Sequence, residues 1–225
     1  MIEKVRNLVI ELLGGEGSGH GVDHVERVFK LAMKFAENEV CNREIVAVAA
    51  LLHDVDDYKI FGTAGESKLP NATRILSEVG VDETIKEQVL NIIKNMGYSK
   101  YLKGIRPKTI EGMIVSDADM CDAIGANGIL RTYKYNIKHG GGFFDKNIWP
   151  VENFDSESYK TSAPSTAVCH MFEKMLRIKG IMMTESGKKE AEKRQEIMIA
   201  FLKQIFSEED ANDWLEYLEN YLKNL

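Results

Sequence analysis

Apolar positions recur at spacings of three and four along most of the chain, and few segments alternate with period two. That pattern predicts helices rather than sheet, and the fold class it implies is all-α. Residues 2–13 predict a first amphipathic helix, closed by Gly14-Gly15. A second runs from near Ser18 to about Asn38, with Ser18 or Asp23 as N-cap and Val28, Leu31, Ala32 and Phe35 as its apolar stripe. The third, about Arg43–Asp54, breaks the amphipathic habit: Ile45–Leu52 is apolar throughout and ends abruptly in His53-Asp54. Such a run falls far short of the roughly 20 residues that span a bilayer, so it predicts a helix buried on all sides. Residues 58–70 read as loop; two helices capped at Asn71 and Asp82 end near Gly80 and Gly97. A long helical run covers Thr109 to about His139, and an irregular stretch fills 140–165. A helical hairpin and terminal helix follow over 165–178, 187–206 and 210–223.

With 225 residues and 44% apolar content, the chain is expected to form one domain over 1–225. Its core would lie at about 18–139, with the C-terminal helices of about 165–223 packed on it. The formal net charge of −6 gives no general attraction to nucleic-acid polymers or anionic membranes, so a phosphorylated ligand would need a local positive site. Residues 1–13 carry Glu3 and Glu11 and precede no small-residue cleavage site, which does not describe a signal peptide. Cys41, Cys121 and Cys169 are scattered and lack CxxC spacing, so thiols in a reducing cytoplasm fit better than disulfides or a zinc knuckle.

Candidate chemistry gathers on the histidines. Of five in the chain, His20, His24 and His53 lie in its first quarter. In a helix starting near Ser18, His20, His24 and Arg27 would share one face, a poor core stripe but a suitable one for a metal and a phosphate. His53 and Asp54 arrive together at the end of the most apolar helix, where an unpartnered carboxylate would be costly and a divalent cation is a strong answer. A further carboxylate ligand is available from Asp117, Asp119 and Asp122, which interrupt an otherwise apolar segment; Asp119 and Asp122 share a face and Asp117 points elsewhere. Without a metal, the same residues would serve as helix caps and structural hydrogen bonds.

Together, GHGVDHVERV, AALLHDVDDYK, EGMIVSDADMCDAIGANGILRTY, HMFEKML and MTESGKKEAEKR resemble the successive blocks of the HD-domain metal-dependent phosphohydrolase superfamily. They look most like a compact bacterial subgroup that includes nucleotide pyrophosphohydrolases, and the likeness runs from about residue 18 to 206. The resemblance implies an HD-domain helical bundle with a C-terminal helical hairpin, and His24, His53, Asp54 and Asp119 as metal ligands. It favours Asp119 over Asp117 because a short spacer and a further Asp-Ala follow the family's aspartate. It also implies Asp57 as the group that activates water and Lys59 as a phosphate contact; Arg27 and Arg131 are weaker phosphate candidates. The extra histidines of multi-metal relatives are absent between Val55 and Lys138, which favours one metal. The glycine-tyrosine-proline motif of cyclic-dinucleotide phosphodiesterases is missing too.

Two imidazoles and two carboxylates suit one divalent ion, Mn, Fe, Co, Ni or Mg, better than a structural zinc. The expected reaction is hydrolysis of a small phosphorylated nucleotide by water that the ion acidifies, with Asp57, or else His20, taking the proton. Lys59, Arg27 and Arg131 would offset phosphate charge. By resemblance, pyrophosphate release from nucleoside or deoxynucleoside triphosphates comes first. Nucleoside monophosphate dephosphorylation and guanosine tetraphosphate hydrolysis are the enzymatic alternatives, and a noncatalytic nucleotide sensor is the alternative of another class. A homo-oligomer is compatible with the sequence.

His139, the methionines 171, 175, 182 and 183, and the Lys188–Arg194 charge cluster read as structural; His170 reads first as a core histidine, with a substrate contact as the alternative that the resemblance of HMFEKML keeps open. Gly125 and Gly128, with no strand before them, are expected to allow close helix contact rather than to bind phosphate.

Overall fold

The computed structural model describes residues 1–15, 20–62, 68–151 and 166–225, with the side chains of Tyr58 and Lys59 outside the described set. Among the described residues there are helices and no strands, as the hydrophobic periodicity predicts. They divide into two compact units, 1–120 and 121–225, each considered by itself below. The division falls within a helix and earlier than the expected core limit near 139.

The first unit is built around α3, Arg43–Leu52, on which three of its helices pack. Its residues from Ile45 to Leu52 are all buried, which is what a helix without a polar face requires. The Asn42 side chain caps it by accepting from the N–H groups of Glu44 and Ile45. Three helices pack on it: α1 (Ile2–Leu13), α2 (Val22–Phe35) and, after a four-residue α4 (Tyr58–Phe61) and α5 (Pro70–Val79), α6 (Glu83–Asn95). Helix α1 buries Val5, Val9 and Leu13, and α2 buries Val25, Val28, Leu31, Ala32 and Phe35. Burying an aliphatic side chain of this kind is worth about 1.5–3 kcal/mol each. A short α7 (Tyr98–Tyr101) leads to α8 (Ile110–Asp122), which crosses into the second unit.

Helix α2 starts at Val22 with Gly21 at the N-cap position, so Asp23 lies inside the helix rather than capping it, and His20 precedes the helix. Ser18 lies outside the described residues. At α5 the N-cap position is Leu69, not Asn71, whereas Asp82 caps α6 as expected by accepting from the Thr84 N–H.

The second unit contains α9 (Gly125–Lys138), α10 (Ala167–Glu173), a 3-10 turn at Met175–Ile181, α11 (Glu185–Glu208) and α12 (Asn212–Lys223). The expected run from 109 to 139 is therefore two helices, parted at Ile124, where the backbone is extended, and Gly125, whose φ is +76°. Both glycines sit where packing is tight. A Cβ on Gly125 would lie 3.0 Å from Arg194 Cβ, and one on Gly128 only 2.4 Å from the Ala123 carbonyl oxygen. Helix α11 packs on α9, the 3-10 turn and α12. An aromatic core joins Phe144, Phe172, Phe206, Trp214 and Tyr217, with Trp149 stacked on Trp214 at 4.3 Å. Of the 140–165 stretch, residues 140–151 form no helix and 152–165 lie outside the described residues. No helix among the described residues is long and apolar enough to cross a membrane.

Candidate metal centre

Three elements of the first unit deliver the site. His53 occupies the C-cap position of α3, and the chain then turns through Val55 N–H to Leu52 carbonyl and Asp57 N–H to Asp54 carbonyl hydrogen bonds. This turn presents His53 and Asp54 together at the end of the most buried helix. His24 projects from the first turn of α2, and Asp119 from α8. His24, His53 and Asp54 are buried, and the Asp119 side chain keeps 23% of its surface exposed, so the cluster has an open side.

The ligand-type atoms converge. His24 Nε2 and His53 Nε2 lie 3.1 Å apart. Asp54 Oδ2 is 3.2 Å from His24 Nε2, and Asp54 Oδ1 is 3.6 Å from His53 Nε2. Asp119 Oδ1 is 3.5 Å from His24 Nε2 and 3.8 Å from His53 Nε2. His20 Nδ1 donates to Asp54 Oδ2 at 2.8 Å, although His20 stands before the helix expected to carry it. Two overlapping triads, His20-His24-Asp54 and His24-His53-Asp119, keep their ligand atoms within 4.8 Å of one another.

The donor chemistry fits a cation. His53 Nδ1 is 2.8 Å from the Ala50 carbonyl, which can only accept, so Nδ1 carries a proton and Nε2 is the ring nitrogen aimed at the cluster. Anchoring of one ring nitrogen on a backbone carbonyl is the usual outer-sphere arrangement of a metal-binding histidine. That nitrogen faces a second imidazole nitrogen and two carboxylates, a donor set suited to a cation. Neighbouring donors about 2.1 Å from a common ion are about 3.0 Å apart at right angles, close to the shorter of these separations.

The carboxyl groups respond to the same crowding. Burial pushes Asp54 up, but the charges of His53 and His20 and hydrogen bonds from His20 and His24 outweigh it and hold Asp54 well below the usual carboxylate range. Burial likewise raises Asp119, and the hydrogen bond from His24 with the charges of His53 and His24 brings it below its ordinary value despite repulsion from Asp54. Both groups are thus held as carboxylates, the form that binds a cation.

The other expected residues are distributed as follows. Arg27 is half-buried on α2, one turn beyond His24. Asp57 closes the turn after Asp54, half-buried, and its carbonyl accepts from the Ile60 and Phe61 N–H groups at the start of α4. The Lys59 side chain lies outside the described residues. Arg131 belongs to the second unit, where its Nη1 donates to Asp122 Oδ2 at 2.8 Å and to the Asp122 carbonyl. His139 ends α9 and bonds the Tyr135 carbonyl; His170, on α10, stands 3.9 Å from Glu173. Sequence reasoning passed over Asp56, which is buried and bonds two backbone N–H groups of α5. Its only signal was its place as the middle one of three carboxylates in HDVDD.

A fold of this kind with an H…HD…D cluster defines an HD domain, and the HD-domain family model matches residues 21–124. The chain belongs to this family, the superfamily of metal-dependent phosphohydrolases that its motifs resemble. Across nearly its whole length it is similar to the Bacillus subtilis protein YpgQ, at 34% identity over 212 residues that cover 90% of this chain and 91% of that protein. A solved HD-superfamily hydrolase from Bacillus thuringiensis is 36% identical with a TM-score of 0.71, covering 93% of this chain and 97% of that one. A Lactobacillus plantarum structure reaches a TM-score of 0.81 at 32% identity, again over 93% and 97% of the two chains. YpgQ has been solved in complex with ADP; that structure has a TM-score of 0.70 to this chain at 28% identity, over 92% and 97% of the two.

Proposed function

We propose that this chain hydrolyses a small phosphorylated nucleotide, with pyrophosphate release from nucleoside or deoxynucleoside triphosphates as its reaction. The observation that carries the reading is the convergence of Asp54 and Asp119 on the paired imidazoles, each carboxylate 3.2–3.8 Å from Nε2 of His24 and of His53, with Nε2 of His53 turned inward. The ADP complex of the similar protein YpgQ supports a nucleotide as the ligand. One divalent ion, Mn, Fe, Co, Ni or Mg, suits the mixed nitrogen and oxygen set; it supplies positive charge against phosphoryl oxygens and makes water a better nucleophile near neutral pH.

The chain's own groups then have distinct tasks. His24, His53, Asp54 and Asp119 fix the position of positive charge. Asp57 accepts the proton of the attacking water, with His20 as the alternative acceptor. His20, by donating from Nδ1 to Asp54, also holds that carboxylate in its orientation. Lys59 and Arg27 offset the charge of the phosphates and the leaving group.

The test is a nucleotide screen on protein stripped of metal and reloaded with each ion, measuring phosphate and pyrophosphate separately. Pyrophosphate from triphosphates supports the reading. Phosphate from monophosphates would move it to a phosphatase, and pyrophosphate from guanosine tetraphosphate to that hydrolase. No product with any ion would leave a nucleotide-binding sensor.

A further inference from the structure

Asp56 sits between a candidate ligand, Asp54, and the candidate base, Asp57, yet its carboxylate is committed elsewhere. It is 4% exposed, and its two oxygens accept from the backbone N–H groups of Asn71 at 3.0 Å and Ala72 at 2.9 Å. These are the second and third residues of α5, whose own N-cap position is Leu69, a residue with nothing to cap with. Pro70 has no N–H, and Thr73 donates to the Leu69 carbonyl, so Asp56 supplies the acceptors that complete the first turn of the helix from another part of the chain. Its negative charge also suits the positive end of the helix. The tie is reciprocal: Asn71 Nδ2 donates to the Val55 carbonyl at 2.9 Å.

Strain marks the same junction. Leu69 has φ +48° and ψ +54°, a left-handed conformation unfavourable for any residue with a Cβ, and the proline that follows disfavours helical backbone there. Backbone of that kind persists where surrounding contacts over-determine it. The three hydrogen bonds between Val55-Asp56 and Asn71-Ala72 are such contacts.

We propose that Asp56 is a positioning residue for the cation site: by clamping the 53–57 turn to the start of α5, it holds Asp54 and His53 at the separations that let them share an ion. The inference rests on the metal-site reading above. It adds that the geometry of the HD pair is set from α5 as well as from α3. Asp56 acts through the turn rather than by touching the ion.

The test compares Mn²⁺ affinity, by titration calorimetry, with thermal stability in the absence of ion for the full chain and three variants. Asp56→Ala removes both acceptors, Asn71→Ala only the return bond to Val55, and Asp82→Ala the equivalent cap of α6 as a control for stability loss alone. Asp56→Ala is expected to weaken Mn²⁺ binding by about tenfold or more, the range found for outer-sphere partners of metal ligands. Asn71→Ala should weaken it measurably but less, which keeps the test alive if Asp56→Ala fails to fold. Asp82→Ala should lower the melting temperature and leave affinity unchanged. Wild-type affinity in both the Asp56 and Asn71 variants would overturn the proposal, as would an equal loss in Asp82→Ala. Failure of the wild-type chain to bind Mn²⁺ would instead remove the site reading, and this inference with it.

Discussion

Asp54→Asn separates a metal ligand from a structural carboxylate, because the two roles predict different effects with and without ion. In the ion-free protein Asp54 accepts from His20 at 2.8 Å and lies 3.2 Å from His24. Making those contacts neutral sacrifices about 1 kcal/mol apiece, the difference between charged and neutral hydrogen bonds. Relief of a buried carboxylate facing Asp119 offsets part of this, so ion-free stability should fall by no more than about 2 kcal/mol. With ion present a ligand is lost as well. Outer-sphere changes weaken metal binding by about 10–100-fold, and a direct ligand should reach at least the upper figure. At an ion concentration about 1,000 times the wild-type Kd, binding stabilises the wild type by about 4.1 kcal/mol, but a variant bound about 100-fold more weakly by only about 1.4. The ion-induced rise in Tm should therefore shrink by about 5–11 °C for a chain of this size, at about 2–4 °C per kcal/mol. Melts with and without Mn²⁺ read this directly. An ion-induced rise in Asp54→Asn equal to that of the wild type would refute the ligand assignment, whatever its ion-free stability.

Other predictions concern the scaffold. Gly128→Ala would place a methyl 2.4 Å from the Ala123 carbonyl oxygen, so it should destabilise by about 1–3 kcal/mol in urea unfolding, the usual range for overpacking. Asn42→Ala removes the cap of α3 and should lower stability by about 0.5–2 kcal/mol by the same measurement. Burial pushes the Glu173 carboxyl up, against the Val151 N–H bond and the Arg177 charge, so the folded chain holds that proton more tightly than the unfolded one. Its stabilising contribution is complete below the unfolded-state pKa and is lost as pH rises through the raised folded-state value. Melts of Glu173→Gln and wild type from about pH 4 to pH 7 should therefore show the variant gaining stability relative to wild type as pH increases; a constant difference would contradict the burial argument.

The parts of the fold that were legible in the sequence are those governed by local rules. The apolar run Ile45–Leu52 could only be a buried helix, and Asp82 two residues before Thr84 could be recognised as a cap. The need of His53 and Asp54 for a partner was legible because a buried imidazole and carboxylate need each other or a cation, whereas the full set with His24 and Asp119 came from the likeness of the motifs to the HD family. What escaped was set by long-range contacts. Asn71 has the composition of a cap, but the cap of α5 comes from Asp56, which lies 15 residues earlier than Asn71. Gly125 breaks the 109–139 run because its backbone turns left-handed where it meets Arg194, a neighbour no periodicity reveals. His20 reaches Asp54 from outside α2, so its place on a helical stripe was the wrong reason for a contact that the structure makes. The bond of Arg131 to Asp122 depends on the turn between α8 and α9, which periodicity does not reveal.

The central claim is that four side chains from α2, α8 and the turn after α3 grip a common cation. Its most direct test is a crystal structure grown with Mn²⁺ and phased by the anomalous signal at the manganese edge. The account predicts a single strong anomalous peak bonded to His24 Nε2, His53 Nε2 and carboxylate oxygens of Asp54 and Asp119. A saturating Mn²⁺ soak that leaves no peak there, with the two imidazoles still paired to each other and to the carboxylates, would contradict it.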